Sequence, residues 1–576
     1  MRINASGKGW WAGGLVLAGL AVLFLPGLVE HVRLSADRLV FADDVRQHVF
    51  AFYPYYQPGL LDGDYLARYI LALSPPGHSL VYILAARLWD PAWVSKVLPY
   101  LQYAGVLVLL GACARRLGGW PAVLATLALA LSSHVLLDYM TGGVARSWAY
   151  PLMAGAAAAL VWGRVYPLAV ITVLGAALYP PAAAVCGIGL ALWLLLWPAA
   201  DRGAASDWSW PKRWGLVAVT ALVCAALVVP MAMGLRQYGR RLGPADVAAY
   251  PELGPGGRYG PDDRSPYPYV WIATADAFGR SLLAGQDAWW PSLRRTLQKG
   301  SRPGRPATAL VIVVGVVGVA CLVGLGLAFR SRPELRRLLA LLAASLLGYG
   351  LAKLLAPYLF LPHRYLIYSI PILTFLAFPV AISALVRGRP RTTWPGLAPA
   401  VVIAAALVVL LTLGGQGGGR TGLSLRSKTL GPEFYQRLAA LPAGAKIAGW
   451  PNGVVDDLPY LCRRPALVTF ECHQAFHQGF ADEMRRRMRA LIAAYFATSP
   501  QPLRELRRRF GVGYLVVDLR HLGPKPPRYF APFDQWTSAA HRAMRRRGSE
   551  VLRQLDRAAV FRQGDLVVLD LSKIAG

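Results

Sequence analysis

The stretch Phe41-Ala-Asp-Asp-Val-Arg-Gln-His48 places two adjacent carboxylates, Asp43 and Asp44, in a polar segment shortly after the first long apolar run. That run extends from Trp11 to Val29, and further apolar runs follow along most of the chain. A chain of this kind crosses a membrane repeatedly, so an acidic pair beyond the first span lies at the mouth of a helical bundle. The stretch therefore predicts a polar site just outside the bilayer.

Composition indicates a multi-spanning membrane protein with one soluble part. Of the 576 residues, 55% are hydrophobic, which is more than soluble domains usually contain. Apolar runs that approach the about 20 residues needed for a span end near Leu413 and leave a polar tail. We therefore expect a helical membrane domain over residues 1–415 and a C-terminal α/β domain over residues 416–576.

The apolar runs predict about eleven spans, separated in two places by long loops, 30–97 and 236–306. Within the first loop, the apolar stretches 67–73 and 78–89 are too short to span and predict helices along the membrane interface. The predicted spans are residues 11–29, 98–114, 120–137, 147–163, 166–178, 181–197, 214–235, 307–329, 337–356, 365–386 and 396–413.

Basic residues mark alternate connections between these spans. They are Arg2 and Lys8; Arg115 and Arg116; Arg164; Arg202, Lys212 and Arg213; Arg330, Arg332, Arg336 and Arg337; and Arg387, Arg389 and Arg391. Because cytoplasmic loops are enriched in Lys and Arg, the N-terminus is predicted to be cytoplasmic. Both long loops and the tail are then extracytoplasmic, in a multi-pass protein of the inner (plasma) membrane whose first span is not cleaved.

The net charge of +31 belongs to these loops and to the tail. Such charge favours membrane lipids with anionic headgroups, or a phosphorylated lipid substrate, over nucleic acid as partner.

The tail has the pattern of a small α/β domain. Residues 445–450, 466–470 and 514–518 predict short buried strands, and 560–570 predicts a hairpin turning at Gln563-Gly564. Residues 482–498 predict an amphipathic helix. Cys462 and Cys472 are candidates for a disulfide that the spacing does not require.

Asp43 and Asp44 are candidate catalytic residues, with Arg46 and His48 in support. One carboxylate can take a proton from an acceptor nucleophile while the other orients a cation or a hydroxyl. The alternative is an N-cap for a helix starting at Val45, a position that favours Asp. A cap accounts for only one of the two carboxylates, and which of them would be the base stays open.

Four cations are predicted at the same outer level, near the ends of their spans: Arg146, Lys353, His363 and Arg364. Charges near membrane depth are costly and need a reason. Cations opposite carboxylates suit a lipid-linked phosphate, to which Arg offers two parallel hydrogen bonds. The alternative is that these side chains reach out to lipid headgroups.

This layout resembles the GT-C superfamily of membrane glycosyltransferases, which includes protein O-mannosyltransferases, the aminoarabinose transferase of lipid A and oligosaccharyltransferase catalytic subunits. The shared points are the first outer loop opening with Asp43-Asp44, Pro362-His-Arg-Tyr365 near a late span, and an outer soluble domain. The resemblance implies inverting transfer of a sugar from a polyprenyl-phosphate donor to an extracytoplasmic glycan, lipid or protein. Asp43 or Asp44 would activate the acceptor, and Arg364 would contact the donor phosphate.

Some features leave alternatives open. Asp44 is followed by Val45, so the Asp-Glu pair of the mannosyltransferases is not matched. Trp289-Trp290 is followed by Pro291, so the Trp-Trp-Asp signature of the oligosaccharyltransferases is not matched there. The sequence therefore leaves open which acceptor is used. It also leaves open whether Asp43 and Asp44 hold a divalent cation, Mg²⁺ or Mn²⁺. Two other function classes are a transporter or flippase of lipid-linked glycans, which predicts polar residues at mid-membrane, and a non-catalytic protein of envelope assembly.

Overall fold

The computed structural model describes residues 28–133, 135–258, 325–326, 328–330, 332–355, 358–359, 361–387, 425–427 and 430–574. The predicted spans 11–29, 307–329 and 396–413 lie wholly or largely outside these residues. The predicted loop 236–306 is described up to residue 258, where it forms short turns of 3-10 helix.

Apolar helices make up the first part of the chain. Two belong to the first long loop, α1 (Tyr65–Leu73) and α2 (Pro76–Ala86), where interfacial helices were expected. The others are α3 (Pro91–Ser132), α4 (Val135–Met140), α5 (Ala149–Trp162), α6 (Val165–Leu178), α7 (Pro180–Leu196), α8 (Trp210–Gly234), α9 (Pro333–Leu354) and α10 (Ser369–Arg387), the last preceded by a short helix, Arg364–Ile367.

Helix α3 is a hairpin of two arms. Its 42 residues bend at Gly119, whose φ of 71° lies outside the helical region and is a conformation that glycine adopts without strain. The Tyr103 hydroxyl on one arm donates a hydrogen bond to the Ala130 carbonyl on the other, at 3.3 Å. The predicted spans 98–114 and 120–137 are these two arms, and the bend lies at their predicted connection.

Four helical segments among the described residues are long and apolar enough to cross a membrane: Pro91–Leu131, Trp210–Tyr238, Pro333–Leu354 and Arg364–Ala384. Helices α6 and α7, of 14 and 17 residues, are shorter and meet at Tyr179, where the Tyr-Pro-Pro sequence interrupts the apolar run. Because several predicted spans fall outside the described residues, these helices do not establish the predicted total.

One end of the bundle gathers three of the basic connections. Arg116 Nη2 lies 3.5 Å from Glu334 Oε1, and Arg336 Nη2 lies 2.9 Å from Asp201 Oδ1. Arg337 Nε donates to the Asp201 backbone carbonyl at 2.7 Å. The first long loop lies at the opposite end, where Asp44 contacts Arg146, just before α5, and the tail packs on this loop.

The tail contains a sheet of four strands, β3 (Lys446–Gly449), β4 (Val512–Asp518), β5 (Ala559–Gln563) and β6 (Leu566–Asp570). Their order in the sheet is β3-β4-β6-β5. Strand β3 is parallel to β4, and the other two pairings are antiparallel. The tail helices are α11 (Pro432–Ala439), α12 (Gln478–Tyr495), α13 (Gln501–Phe510) and α14 (Phe533–Arg547).

The predicted strand 466–470 is wrong: only Ala466 forms a bridge, with Ile447 of β3. The backbone turns away because neighbouring groups take its hydrogen bonds. Arg487 Nη1 donates to the Leu467 carbonyl at 3.0 Å, and the Phe470 amide donates to the Pro451 carbonyl at 3.1 Å. Hydrogen bonding outside the ladder therefore ends the strand after one residue pair.

The tail packs on the first long loop. Strand β1 (Val40–Ala42) pairs antiparallel with β2 (Leu425–Ser427), and one apolar core contains Phe50 and Tyr69 of the loop together with Phe480 of α12. Cys462 and Cys472, the candidates for a disulfide, are both buried and free. The first loop therefore connects the helical bundle to the tail.

Candidate functional site

A short helix, Val45–His48, follows β1 and carries the acidic pair at its start. Asp44 occupies the N-cap position, but its φ of −69° and ψ of −15° are helical and its side chain accepts no capping hydrogen bond. An N-cap side chain would bond to the free amides of the first turn. The cap therefore does not explain Asp44, whose carboxylate points elsewhere.

The Asp44 carboxylate faces Arg146. Asp44 Oδ2 lies 3.1 Å from Arg146 Nε, with the two side chains 33% and 23% exposed. This approach depends on Gly142, which has a φ of +96° and packs against the first loop. A Cβ at this position would lie 2.9 Å from Val45 Cγ1 and 3.1 Å from Ala42 Cβ, so a side chain here would separate the two segments.

Other cations act on the same carboxylate. Burial by itself would raise the pKa of Asp44, but the nearby guanidiniums, Arg146 first and then Arg364 and Arg46, outweigh it and lower the pKa. Burial lowers the pKa of His48 to about 4, with Arg146 and Arg364 adding to the effect. Near neutral pH, Asp44 is thus an ionised carboxylate, and His48 is a neutral imidazole.

Arg364 reaches this end of the bundle through the turn before the helix Arg364–Ile367. Its amide donates to the Leu361 carbonyl at 3.0 Å, and the Tyr150 hydroxyl of α5 donates to the Ile367 carbonyl at 3.2 Å. These bonds tie the start of α10 to the helix that follows Arg146. The structure thereby brings Asp44, His48, Arg146 and Arg364 together from three separate segments.

The other two predicted cations, Lys353 and His363, belong to the same late part of the helical bundle as Arg364. Lys353 lies in the last turn of α9, and His363 directly precedes the helix Arg364–Ile367. Both side chains are half-buried. Their part in a phosphate site stays a prediction.

Asp43 belongs to a second network, centred on Arg46. The Arg46 side chain is 6% exposed, and its Nη2 forms an ion pair with the Asp43 carboxylate. Its Nη1 lies 2.7 Å from Asp456 Oδ2 and 3.2 Å from Asp457 Oδ1. Nη2 also lies 3.5 Å from Glu471 Oε1, so one guanidinium contacts four carboxylates.

Burial lowers the pKa of a guanidinium, but these carboxylates outweigh it and raise the pKa of Arg46. Burial raises the pKa of Asp456 to about 7, with Glu471 and Asp457 adding to the effect and Arg46 opposing it. Burial likewise raises the pKa of Glu471. The network therefore holds a permanent cation among four carboxylates, of which Asp456 and Glu471 ionise less readily than usual.

Sequence reasoning missed Asp456, Asp457 and Glu471. A signal was present: Asp456-Asp457 is another pair of adjacent aspartates, in a chain with 61 basic and only 30 acidic side chains. The pair follows two valines in the tail, so its partner could not be read from local sequence. It contacts Arg46 because the tail folds onto the first loop.

The described residues offer no group of three or more His, Cys, Asp or Glu side chains arranged to hold a metal ion. Asp43 and Asp44, the candidate ligands of any divalent cation, contact Arg46 and Arg146. His473 and His477, which are buried, contact the hydroxyls of Tyr529 and Tyr69 at 3.0 Å each.

No family model matches the chain, and comparison with curated protein sequences finds no match. Solved structures do match. ArnT from Cupriavidus metallidurans bound to undecaprenyl phosphate is 15% identical, with a TM-score of 0.47, over 99% of this chain and 100% of that chain. The oligosaccharyltransferase AglB from Archaeoglobus fulgidus, in complex with an inhibitory peptide and a dolichol-phosphate, is 12% identical, with a TM-score of 0.43, over 90% of this chain and 70% of that chain.

A further structure of the Archaeoglobus fulgidus oligosaccharyltransferase, in complex with Zn and sulfate, is 11% identical over 87% of this chain and 68% of that chain, with a TM-score of 0.41.

Proposed function

We propose that this protein is a membrane glycosyltransferase that transfers a sugar from a polyprenyl-phosphate-linked donor to an acceptor outside the cytoplasm. The observation that supports this function is the convergence of Arg146 and Arg364, from distant parts of the chain, beside Asp44. Two guanidiniums at the end of an apolar bundle suit a phosphate whose lipid tail lies in the membrane.

Arg146 and Arg364 bind the donor phosphate in this proposal. Each guanidinium can offer two parallel N–H donors to phosphate oxygens, and its charge is independent of pH in the ordinary range. Asp44 holds Arg146 in place before the donor arrives. Polyprenyl phosphates are ligands of this kind, and they are present in the ArnT and AglB complexes.

Asp43 is the proposed base. In a displacement with inversion, the acceptor attacks the anomeric carbon from the side opposite the leaving phosphate, so the base must lie away from the phosphate-binding cations. Asp44 faces those cations, whereas Asp43 contacts Arg46 toward the tail and is 30% exposed. Asp43 therefore accepts the proton of the acceptor hydroxyl or amine.

The reaction forms one bond, breaks one bond and transfers one proton. The acceptor atom forms a bond to the anomeric carbon, the bond from that carbon to the phosphate oxygen breaks, and polyprenyl phosphate leaves with the electron pair. The acceptor proton passes to Asp43. Arg146 and Arg364 stabilise the charge that develops on the leaving phosphate, as groups positioned in advance do in other enzymes.

The test uses the full chain in membranes supplied with radiolabelled polyprenyl-phosphate sugars and, in parallel, nucleotide sugars. We expect label to reach an acceptor from a lipid-linked donor only. Asp43→Asn should lower transfer by about 10²–10⁴-fold, the usual contribution of a general base. Asp62→Asn is the matched control, because Asp62 is an exposed carboxylate of the same loop.

Full activity of Asp43→Asn would show that Asp43 is not the base. Absence of transfer from every lipid-linked donor in the panel, with the wild-type protein folded and present, would instead favour a non-enzymatic role in envelope assembly. Movement of a labelled lipid-linked glycan across the membrane without transfer would favour a flippase.

A further inference from the structure

Arg46 contacts Asp43 in two ways. Arg46 Nη2 forms an ion pair with the Asp43 side chain, and Arg46 Nε donates to the Asp43 backbone carbonyl at 3.2 Å. The guanidinium is planar, with its five N–H donors in a rigid fork. Once the plane of Arg46 is fixed, the position of the Asp43 carboxylate is therefore restricted as well.

The plane of Arg46 is fixed by the tail. Arg46 Nη1 donates to Asp456 Oδ2 at 2.7 Å and to Asp457 Oδ1 at 3.2 Å. Both aspartates are 2% exposed and lie on one turn of 3-10 helix, Val454–Asp457. Charge-assisted hydrogen bonds of this kind are stronger than neutral ones, so the orientation of Arg46 depends on a segment more than 400 residues later in the chain.

The carboxylates that hold Arg46 are themselves held. Asp456 Oδ1 accepts a hydrogen bond from the Glu471 amide at 3.0 Å, and Asp457 Oδ2 accepts one from the Tyr435 hydroxyl at 3.0 Å. Glu471 Oε2 lies 3.0 Å from Arg258 Nη2. Each carboxylate thus uses one oxygen on Arg46 and the other on a second partner.

We propose that Arg46 is a positioning residue through which Asp456, Asp457 and Glu471 of the tail hold Asp43 in the geometry required for proton transfer. The inference rests on the proposed function, since it takes Asp43 to be the base. The tail then takes part in the reaction without touching either substrate: it sets where the proton acceptor lies relative to the anomeric carbon.

This arrangement explains why so polar a cluster is buried between two parts of the protein. An apolar contact would join the tail to the first loop at a lower desolvation cost, because buried ion pairs often contribute little net stability. An ion-pair network fixes angles and distances that an apolar contact leaves variable. A base displaced by about 1 Å from its productive position loses up to about 10²-fold in rate.

The test is Asp456→Asn in the full chain, with steady-state transfer from the lipid-linked donor as readout. Asparagine keeps the size of the side chain and removes its charge. We expect kcat to fall about tenfold while the donor KM changes by less than twofold, because the donor phosphate binds on the other side of the first loop. Asp457→Asn should act in the same direction and serves as the second variant if Asp456→Asn does not fold.

A double-mutant cycle separates positioning from general weakening of the fold. In the Asp43→Asn background, Asp456→Asn should cause no further loss of the residual activity, since the residue it positions is already gone. The control is Arg463→Gln, which removes the ion pair between Arg463 of the tail and Asp90 of the first loop but does not touch Asp43. It should leave kcat within twofold of wild type.

Wild-type kcat in Asp456→Asn, or the same loss in both backgrounds, would overturn the positioning role. A loss of kcat in Arg463→Gln as large as that in Asp456→Asn would also overturn it, since any weakened contact would then suffice. These results differ from failure of the proposed function, which appears as absence of transfer by the wild-type protein, and from failure of the base assignment, which appears as full activity of Asp43→Asn.

Discussion

Asp43 and Asp44 are neighbours in the chain but belong to different parts of the molecule. Asp44 faces the helical bundle, where Arg146 lies 3.1 Å away and Arg364 adds its charge. Asp43 faces the tail and forms an ion pair with Arg46, which also contacts carboxylates of the tail. The chain enters the short helix at Asp44, and the two adjacent carboxylates point to different partners, Arg46 and Arg146.

The comparison shows how one short segment can serve two tasks. The bundle side contains more cations than carboxylates and suits an incoming anion. The tail side contains more carboxylates than cations, and four carboxylates surround the positive charge of Arg46. We therefore expect substitutions on the bundle side to change donor binding, and those on the tail side to change the chemical step or the stability.

The largest expected effect separates the two aspartates directly. Asp43→Asn should lower kcat by about 10³-fold with little change in donor KM, since it removes the proton acceptor. Asp44→Asn should raise the donor KM about tenfold and lower kcat less, because Arg146 loses its support. Steady-state kinetics of both variants measure the contrast. The reverse pattern would assign the base to Asp44.

The next largest effect concerns stability. Arg46→Ala leaves four carboxylates near one another in a buried place, and removal of one partner from a buried ion pair typically costs about 3–5 kcal/mol. Arg463→Ala removes a more exposed interdomain pair, and we expect about 1 kcal/mol. Thermal unfolding of the purified variants in detergent compares them. Equal shifts in melting temperature would contradict the central place of Arg46.

Substitutions on the bundle side should follow. Arg146→Gln and Arg364→Gln should each raise the donor KM by about 10–100-fold, the cost of one charge-assisted hydrogen-bond pair. Arg336→Gln is the matched control, since Arg336 pairs with Asp201 at the opposite end of the bundle. A donor KM that rises equally in all three would point to a general effect on the fold.

The smallest effect is a pH dependence on the tail side. Burial raises the pKa of Asp456 to about 7, so the carboxylate is charged above pH 7 and neutral below it. Loss of charge weakens its hold on Arg46, and kcat should fall by up to about tenfold between pH 8 and pH 6. Glu471 and Asp457 face the same guanidinium and stay in place.

The control for this pH dependence is Asp456→Asn, whose kcat should be flat from pH 6 to pH 8 and equal to the low-pH value of wild type. His48 does not interfere, because burial lowers its pKa to about 4 and it stays neutral throughout this range. An unchanged transition in Asp456→Asn would show that another group titrates.

The bundle side could be predicted from the sequence to a large extent. Hydrophobic length predicted the arms of α3 and helices α5 to α10, and a charged residue at membrane depth is rare enough to stand out, as Arg146 and Arg364 do. Both signals depend on the residue itself and on its near neighbours.

The tail side could not be predicted in this way. Asp456, Asp457 and Glu471 look like ordinary surface acids in sequence, and their contact with Arg46 exists only after the tail has packed on the first loop. The predicted strand 466–470 failed for a related cause: Arg487, from the next helix, takes the Leu467 carbonyl away from the sheet. Both the contacts of Arg46 and the end of the predicted strand depend on polar groups far away in the chain, and no local sequence pattern indicates such contacts.

Direct binding of a lipid phosphate tests the central claim, that the end of the bundle beside Asp44 is a phosphate site. Native mass spectrometry of the purified protein with undecaprenyl phosphate, and with undecaprenol as the lipid without phosphate, gives the affinity. We expect wild type and Arg336→Gln to prefer the phosphate by at least about tenfold, and Arg146→Gln/Arg364→Gln to lose that preference. Equal preference in all three proteins would contradict the account.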